Sequence, residues 1–230
     1  MKLAVFDLDG TLTHTNAVDD ECFVHAFLET LQLTDLNRNW NGYEHVTDEG
    51  VTRQIFIEQF GRYPAPEETG RIVDRFLDRL IASHAADASK FVEIRGASSL
   101  VQRLRDSGWA VALATGAWRR SAEFKIQRAG LQIQDIPAAF AEDGPSREGI
   151  VRAAIERAGV LHRQSEFERI ISVGDAIWDV KTARNLSLAF LGIASGARAA
   201  LLRDNGASHV IEDYRDPERC LQYLDEAQIP

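Results

Sequence analysis

Helical and extended segments alternate through the second half of this chain, and that alternation restricts its fold more than any other feature. We predict helices over residues 98–107, 118–129, 147–158, 178–185 and 197–204. We predict strands over residues 109–114, 138–140, 169–173, 187–193 and 209–211. Strands joined through helices need crossover connections, which give a parallel sheet covered on both faces. The sequence therefore predicts a doubly wound, Rossmann-like α/β core.

One further strand, over residues 2–6, precedes this region and is separated from it by a stretch with helical periodicity. In that stretch Phe23, Phe27 and Leu31 recur every four residues, as they do on one face of a helix. We predict three helices here, one from residue 16, one over 48–60 and one from about 67. Asn16 is the predicted capping residue of the first. The predicted organisation is an α/β core domain of residues 1–14 and 90–230 with an all-helical cap domain, residues 15–89, inserted after the first strand.

Composition narrows the classes of protein that remain. Of the 230 residues, 45% are hydrophobic and 27% charged, as in ordinary globular domains, and the net charge of −9 argues against non-specific nucleic-acid binding. No apolar run reaches the length of a membrane span, and the apolar start is too short for a signal peptide. The two cysteines, Cys22 and Cys220, lack metal-site spacing, so we expect a cytoplasmic protein.

Polar residues follow the predicted strands at the points where those strands end. Asp7 and Asp9 follow the first strand and share one face of it, although an ionised carboxylate is costly to bury without a partner. In open parallel sheets, ligands bind at the carboxyl ends of the strands. That rule predicts one site built from Asp7, Asp9, Thr115, Gly116, Asp175 and Asp179.

Several carboxylates without histidine or cysteine suit a hard cation, and we predict Mg²⁺. The predicted ligands are Asp7, Asp9 and Asp175, with Asp179 either a further ligand or a residue that supports them. A carboxylate can also attack phosphorus as a nucleophile, and Asp9 can serve as general acid and then general base. The phosphate oxygens would be bound by the Thr115 hydroxyl, the Gly116 N–H and the Arg147 guanidinium.

These motifs resemble those of the haloacid dehalogenase-like hydrolase superfamily, in the phosphatase branch that includes phosphoglycolate phosphatases and beta-phosphoglucomutases. The resemblance implies that Asp7, in Asp7–Leu12, is the nucleophile that becomes an aspartyl phosphate, and that Asp9 is the acid/base. It implies that Thr115 belongs to the second motif and that Gly174–Asp179 forms the metal-binding fourth. The third motif usually supplies a lysine, and here Arg147 takes its place. The other nearby cation, Lys125, is predicted to lie on a solvated helix surface.

The sequence thus predicts a Mg²⁺-dependent phosphatase for a small phosphorylated metabolite. A phosphomutase of the same superfamily stays open as an alternative, and so does a non-enzymatic phospho-acceptor or binding protein. For the cap and its surroundings we predict substrate contacts by Asn16, Thr47, Arg53 and Trp118, whereas packing and solvation are equally open interpretations of such residues. The sequence carries no signal for the oligomeric state.

Overall fold

Six parallel strands form the central sheet of the computed structural model, which describes residues 1–133 and 135–230. The strands are β1 Lys2–Phe6, β2 Ala110–Ala114, β3 Ala138–Ala139, β4 Arg169–Gly174, β5 Ala189–Ile193 and β6 His209–Ile211. Their order in the sheet is β3-β2-β1-β4-β5-β6. The predicted α/β fold with a parallel sheet is therefore confirmed.

The first three α-helices of the chain follow β1 directly: α1 Asn16–Leu31, α2 Asp48–Phe60 and α3 Pro66–Ala86. The others are α4 Ala97–Asp106, α5 Arg119–Ala129, α6 Arg147–His162, α7 Ile177–Asn185, α8 Gly196–Asp204 and α9 Pro217–Glu226. In the part of the chain that the structure describes, no helix combines the length and the apolar content needed to cross a bilayer.

The last helix, α9, is absent from the sequence prediction although its start is clearly marked. Asp216 precedes it and accepts a hydrogen bond from the N–H of Arg219 at 3.1 Å, and Pro217 occupies its first position. Both are recognised helix-start signals. The helix buries Cys220 and Leu224 against the sheet, so it completes one of the two helical layers.

The sheet is covered on both faces because alternate residues of each strand point in opposite directions. In β1, Ala4 and Phe6 belong to an apolar cluster with residues of α4, α5 and α9. Leu3 and Val5 belong to a second cluster with residues of α6, α7 and α8. A strand buried on both faces needs an uninterrupted apolar run, which explains the composition of residues 3–6.

A third apolar cluster joins the helices inserted after β1, and it is rich in aromatic rings. Phe23 of α1 lies 5.6 Å from Phe76 of α3 between ring centroids, at an interplanar angle of 85°. Trp118, at the start of α5, belongs to the same cluster and thereby connects these helices to the sheet region. The domain limits at residues 15 and 89 stay a prediction.

The strand order places the ends of β1, β2 and β4 side by side. The chain runs outward from β1 through β2 to β3 and then returns to β4 on the other side of β1. The Asp7 N–H donates to the Val173 carbonyl at 3.0 Å, which locks the end of β1 against β4. This reversal of strand order is the place where such sheets bind ligands.

Candidate active site

Three buried carboxylates converge at the ends of β1 and β4. One oxygen from each of Asp7, Asp175 and Asp179 lies within 4.8 Å of the others, and all three side chains are nearly inaccessible to solvent. Burial raises the pKa of the Asp7 carboxyl well above its usual value, and Asp179 and Asp175 add to this effect while Arg147 opposes it. Burial, reinforced by Asp179, also raises the pKa of Asp175 to about 7. Such a cluster is stabilised by additional positive charge.

The donor set fits a hard divalent cation. All three groups offer carboxylate oxygens, which are the ligands that Mg²⁺ prefers. Asp175 also contacts the Asn16 amide nitrogen at 3.2 Å and the guanidinium of Arg198, whose side chain is 58% exposed. One Asp179 oxygen accepts from the N–H groups of Asp175 and Ala176 at 3.2 and 3.1 Å. Asp179 is thus held by the backbone that carries Asp175.

Arg147 is the cation at the centre of this cluster. It is the first residue of α6, after Ser146, which caps the helix by accepting from the Gly149 N–H at 3.2 Å. Its Nη1 donates to Asp179 Oδ1 at 2.8 Å and lies 3.4 Å from Asp7 Oδ1. Burial opposes the charge, but the neighbouring carboxylates outweigh it and raise the pKa of Arg147 further. The arginine therefore lies where the sequence predicts a phosphate-binding cation.

Arg147 also contacts the segment that leads into α2, because its Nε donates to the Val46 carbonyl at 2.9 Å. Gly116 lies beneath the same segment. A Cβ at this position would be 3.1 Å from the Val46 carbonyl oxygen and 3.2 Å from Arg147 Nη2, which is tighter than ordinary packing. The Gly116 carbonyl accepts from the Asp48 N–H at 2.7 Å. Glycine at position 116 therefore permits the close approach of the inserted segment. The phosphate contact of its N–H stays a prediction.

Thr115 lies at the end of β2 and is almost completely buried. Its Oγ1 accepts from the Ala117 N–H at 3.2 Å, which fixes the hydroxyl at the edge of the cavity. Gly10 follows the two N-terminal aspartates with a φ of +78°, a conformation that favours glycine. A Cβ there would lie 2.5 Å from the Asn16 amide nitrogen and would collide with Asp175. Only glycine lets the turn after Asp9 pass so close to Asp175.

Asp9 is separate from the three converging carboxylates. One of its oxygens accepts from the Thr15 hydroxyl at 2.5 Å, and the other accepts from Lys125 Nζ at 2.6 Å. Its side chain is 18% exposed and lines the same cavity as Asp7. Its roles as metal ligand and as acid/base stay predictions.

Lys125 is not on a solvated surface, and that prediction is wrong. Its side chain is 0% exposed, and besides Asp9 it contacts Asp19 Oδ1 at 2.5 Å. Burial alone would favour the neutral amine, but Asp19, Asp9 and Asp48 outweigh it and raise the pKa of Lys125. The available signal was its position on α5, where Ala122 and Ile126 lie on the same buried face.

Two of the predicted substrate contacts line the cavity, which has a volume of about 120 Å³. Asn16 lines it, but it is the first residue of α1, after Thr15 at the N-cap position, and its side-chain amide donates to Asp175. Thr47 also lines it, although its hydroxyl accepts from the Gly50 N–H at 2.9 Å and donates to the Pro145 carbonyl at 2.8 Å. Thr47 thus presents little unused hydrogen-bonding capacity to a ligand.

The structure places the other two predicted contacts outside the residues that line this cavity. Arg53 is exposed on α2 and pairs with Glu49, one turn earlier, at 2.8 Å. The Trp118 ring packs between Phe23 and Phe76, with centroids 5.9 and 6.1 Å away. Its backbone N–H donates to Asp48 Oδ2 at 2.8 Å. In this structure the Trp118 side chain therefore has a packing role, which is the alternative interpretation given above.

Sequence reasoning also missed several residues of the cavity wall. Asp19 and Asp20 from α1 and Asp48 from α2 line it, and Trp178 of α7 lies with its ring centroid 5.7 Å from the Arg147 guanidinium. Asp19 and Asp48 occur in the first turns of their helices, where acidic residues are common for helix stability alone, and Asp20 follows Asp19 directly. Their sequence positions therefore give no sign of a site.

A parallel α/β sheet with buried carboxylates at its strand-order reversal belongs to the doubly wound class, which binds ligands at this point. The family model described as haloacid dehalogenase-like hydrolase matches residues 1–186, and the chain belongs to this family. The resemblance drawn from the sequence motifs is confirmed.

Solved structures with the same fold extend over nearly the whole chain. A hydrolase from Pseudomonas syringae has a TM-score of 0.73 at 22% identity, covering 98% of this chain and 99% of that one. A candidate beta-phosphoglucomutase from Bacteroides vulgatus has a TM-score of 0.69 at 15% identity, with coverages of 98% and 89%. A predicted phosphoglycolate phosphatase from Haemophilus somnus has a TM-score of 0.63 at 15% identity, with coverages of 96% and 98%. At these identities the likeness establishes the fold.

Proposed function

We propose that the protein is a Mg²⁺-dependent phosphatase that hydrolyses a small phosphorylated metabolite through an aspartyl-phosphate intermediate. The observation that carries the proposal is the position of Asp7, which lies in the cavity beside Arg147 and within the group of converging carboxylates. A carboxylate nucleophile next to a fixed guanidinium and a cation site is suited to phosphoryl transfer.

In the first step of the proposed reaction, an Asp7 oxygen attacks phosphorus and the bond to the leaving oxygen breaks. Asp9 gives its proton to that oxygen. In the second step Asp9 takes a proton from a water molecule, which attacks the phosphorus of the aspartyl phosphate. This releases inorganic phosphate and restores the Asp7 carboxylate.

The other residues hold the transferred group. Arg147 binds phosphate oxygens through its guanidinium, and Thr115 and Gly116 donate from the end of β2. Asp7, Asp9 and Asp175 would hold Mg²⁺, with Asp179 alongside. When bound, Mg²⁺ would reduce the repulsion between the Asp7 carboxylate and the phosphate.

A small substrate is supported by the volume of the cavity. Its value of about 120 Å³ lies below the roughly 300–1,000 Å³ of pockets that bind drug-sized ligands. The inserted helices border the cavity through Asp19, Asp20 and Asp48, so they cover the site that a polymer would have to enter. Cys22 and Cys220 are free thiols, which agrees with action in the cytoplasm.

Hydrolysis is supported over the phosphomutase alternative by the charge of the cap side of the cavity. A mutase must bind a sugar bisphosphate and therefore needs cations for a second phosphate. Among the described residues that line the cavity, those from the inserted segment include three carboxylates and no lysine or arginine. A second phosphate would face these carboxylates.

The proposal is tested by incubating the purified protein with Mg²⁺ and a panel of small phosphomonoesters while released inorganic phosphate is measured. The panel should include sugar phosphates with product analysis by chromatography. We expect stoichiometric phosphate release from at least one compact monoester. Formation of an isomeric sugar phosphate without phosphate release would favour the mutase instead.

Replacing Arg147 by alanine is expected to lower kcat/KM by about 10²–10³-fold, the usual effect of removing one transition-state donor. The loss should be measured by steady-state kinetics on the best substrate of the panel. Arg147→Lys should retain more activity, because it keeps the charge while losing the forked geometry that reaches Asp179, Asp7 and Val46 together. Kinetics unchanged in Arg147→Ala would assign phosphate binding to another cation.

A further inference from the structure

Lys125 is a buried charged residue to which the proposed reaction assigns no role. It is a lysine with no exposed surface, and it contacts Asp9 and Asp19 at 2.6 and 2.5 Å. Asp9 belongs to the loop after β1, whereas Asp19 belongs to α1 of the inserted segment. The ammonium group therefore connects a carboxylate of the active site to the helices that cover it.

Stability alone does not account for a lysine here. Taking an ammonium group and its partner carboxylates out of water is costly, and apolar residues of similar size often stabilise a protein at least as well. The adjoining face of α5 buries Ala122 and Ile126, which shows that an apolar side chain would suit this helix. A charged group at this position calls for a function in the site.

We propose that Lys125 is a positioning residue, which holds the Asp9 carboxylate toward the leaving group and couples its position to the inserted helices through Asp19. The proposal rests on the proposed function, in which Asp9 transfers the protons. The Thr15 hydroxyl and Lys125 Nζ each bind one Asp9 oxygen, so the carboxylate is held from two sides. A fixed orientation matters because proton transfer requires hydrogen-bond distance to the leaving oxygen.

The inserted segment makes further contacts at the start of α5, the helix that carries Lys125. Asp48, at the start of α2, accepts from the Trp118 N–H at 2.8 Å and donates its own N–H to Gly116 at 2.7 Å. Asp48 also lines the same cavity as Asp9 and Asp19. Docking of α1 and α2 therefore places a carboxylate from each of these helices at the cavity that contains Asp9.

The test compares two substrates that differ in their need for an acid. An aryl ester such as p-nitrophenyl phosphate releases a stable phenolate, whereas an alkyl ester such as glycerol 2-phosphate needs its leaving oxygen protonated. In the double variant Lys125→Met/Asp19→Asn one positive and one negative charge are removed together, so the net charge is kept. We expect kcat to fall about 100-fold on the alkyl ester and less than about 5-fold on the aryl ester, since general-acid catalysis contributes about 10²–10⁴-fold.

Two single variants complete the design. Lys181→Met removes an exposed lysine from α7 and serves as the matched control. Its kcat on each of the two esters should stay at the wild-type value. Asp19→Asn keeps the contact of Lys125 with Asp9 but removes its partner on α1. We expect kcat on the alkyl ester alone to fall about 3–10-fold, a small part of the general-acid effect. If circular dichroism shows the double variant to be unfolded, this single variant tests the proposal.

Equal losses on the two esters, or no loss on either, overturn the positioning role. KM values that rise on both esters while kcat stays constant overturn it as well, because they indicate substrate binding instead. A wild-type protein that releases phosphate from no monoester of the panel while Mg²⁺ is present overturns the proposed function, and this inference with it. The two failures are therefore distinguishable.

Discussion

Replacing Asp7 by asparagine is expected to reduce phosphatase turnover about 10⁴-fold or more, because the variant lacks the nucleophile on which both steps depend. The amide has nearly the shape of the carboxylate, so the cavity and the contacts around Arg147 should persist. Turnover should be measured on p-nitrophenyl phosphate, which needs little acid assistance. Wild-type protein quenched in acid during turnover should carry phosphate that hydroxylamine releases, and Asp7→Asn protein should carry none.

The fold of Asp7→Asn protein should be intact. Burial raises the pKa of the Asp7 carboxyl, and Asp179 and Asp175 raise it further, so removal of its charge relieves desolvation and repulsion. The melting temperature should therefore equal or exceed that of the wild type when no metal is added. Asp78→Asn, which changes an exposed aspartate on α3, is the matched control and should keep full activity. An Asp7→Asn enzyme with more than about a tenth of wild-type turnover, far above the expected loss, would exclude Asp7 as the nucleophile.

Removal of divalent metal with EDTA is expected to lower turnover by about 10²-fold or more, and Mg²⁺ should restore it, because neutralised charge at a phosphoryl centre contributes several kcal/mol. A second measurement does not depend on activity. A ligand present at about 100 times its Kd stabilises the folded state by about 2.7 kcal/mol, which for a protein of this size raises the melting temperature by about 5–10 °C. We expect that rise with Mg²⁺ in the wild-type protein.

Asp175→Asn separates metal binding from a general effect of salt. This variant should need at least about ten times more Mg²⁺ to reach half of its maximal stabilisation, since it loses one anionic oxygen ligand. Asp78→Asn again provides the control, and its response to Mg²⁺ should match that of the wild type. Stabilisation that is the same in Asp175→Asn as in the wild type would move the metal away from the converging carboxylates.

The fold could be predicted from sequence because each strand carries its own signal. A run such as residues 2–6 is apolar throughout and ends at charged residues, which marks both a buried strand and its end. The sequence prediction omits α9, although Asp216 and Pro217 mark its start and the local signal is therefore present. Local chemistry thus indicates most of the elements of the fold.

The residues of the candidate site also differ in whether the sequence predicts them. Asp7, Asp175 and Arg147 lie where strands end or helices begin, so the topology rule brings them together without knowledge of side-chain packing. Lys125 and Asp19 meet across 106 residues of sequence, through a side-chain contact between α5 and α1 that depends on tertiary packing. Neither residue departs from what is normal on a helix surface, and the pair could not be predicted from local pattern. Arg53 shows the opposite case, in which a suggestive residue pairs with its own helix.

The position of β1 at the centre of the sheet has a consequence for when Asp7 reaches its place in the candidate site. This strand comes first in the sequence, yet its two neighbours begin only at residues 110 and 169. Contacts so distant in sequence form slowly, and an unpaired apolar strand is prone to aggregate meanwhile. During synthesis, Asp7 is therefore made near the beginning but is placed near the end, when β4 arrives. The carboxylate cluster around Asp7 can therefore form only after β4 and α7 have been made, and a chain that ends before β4 would carry Asp7 and Asp9 without Asp175 and Asp179.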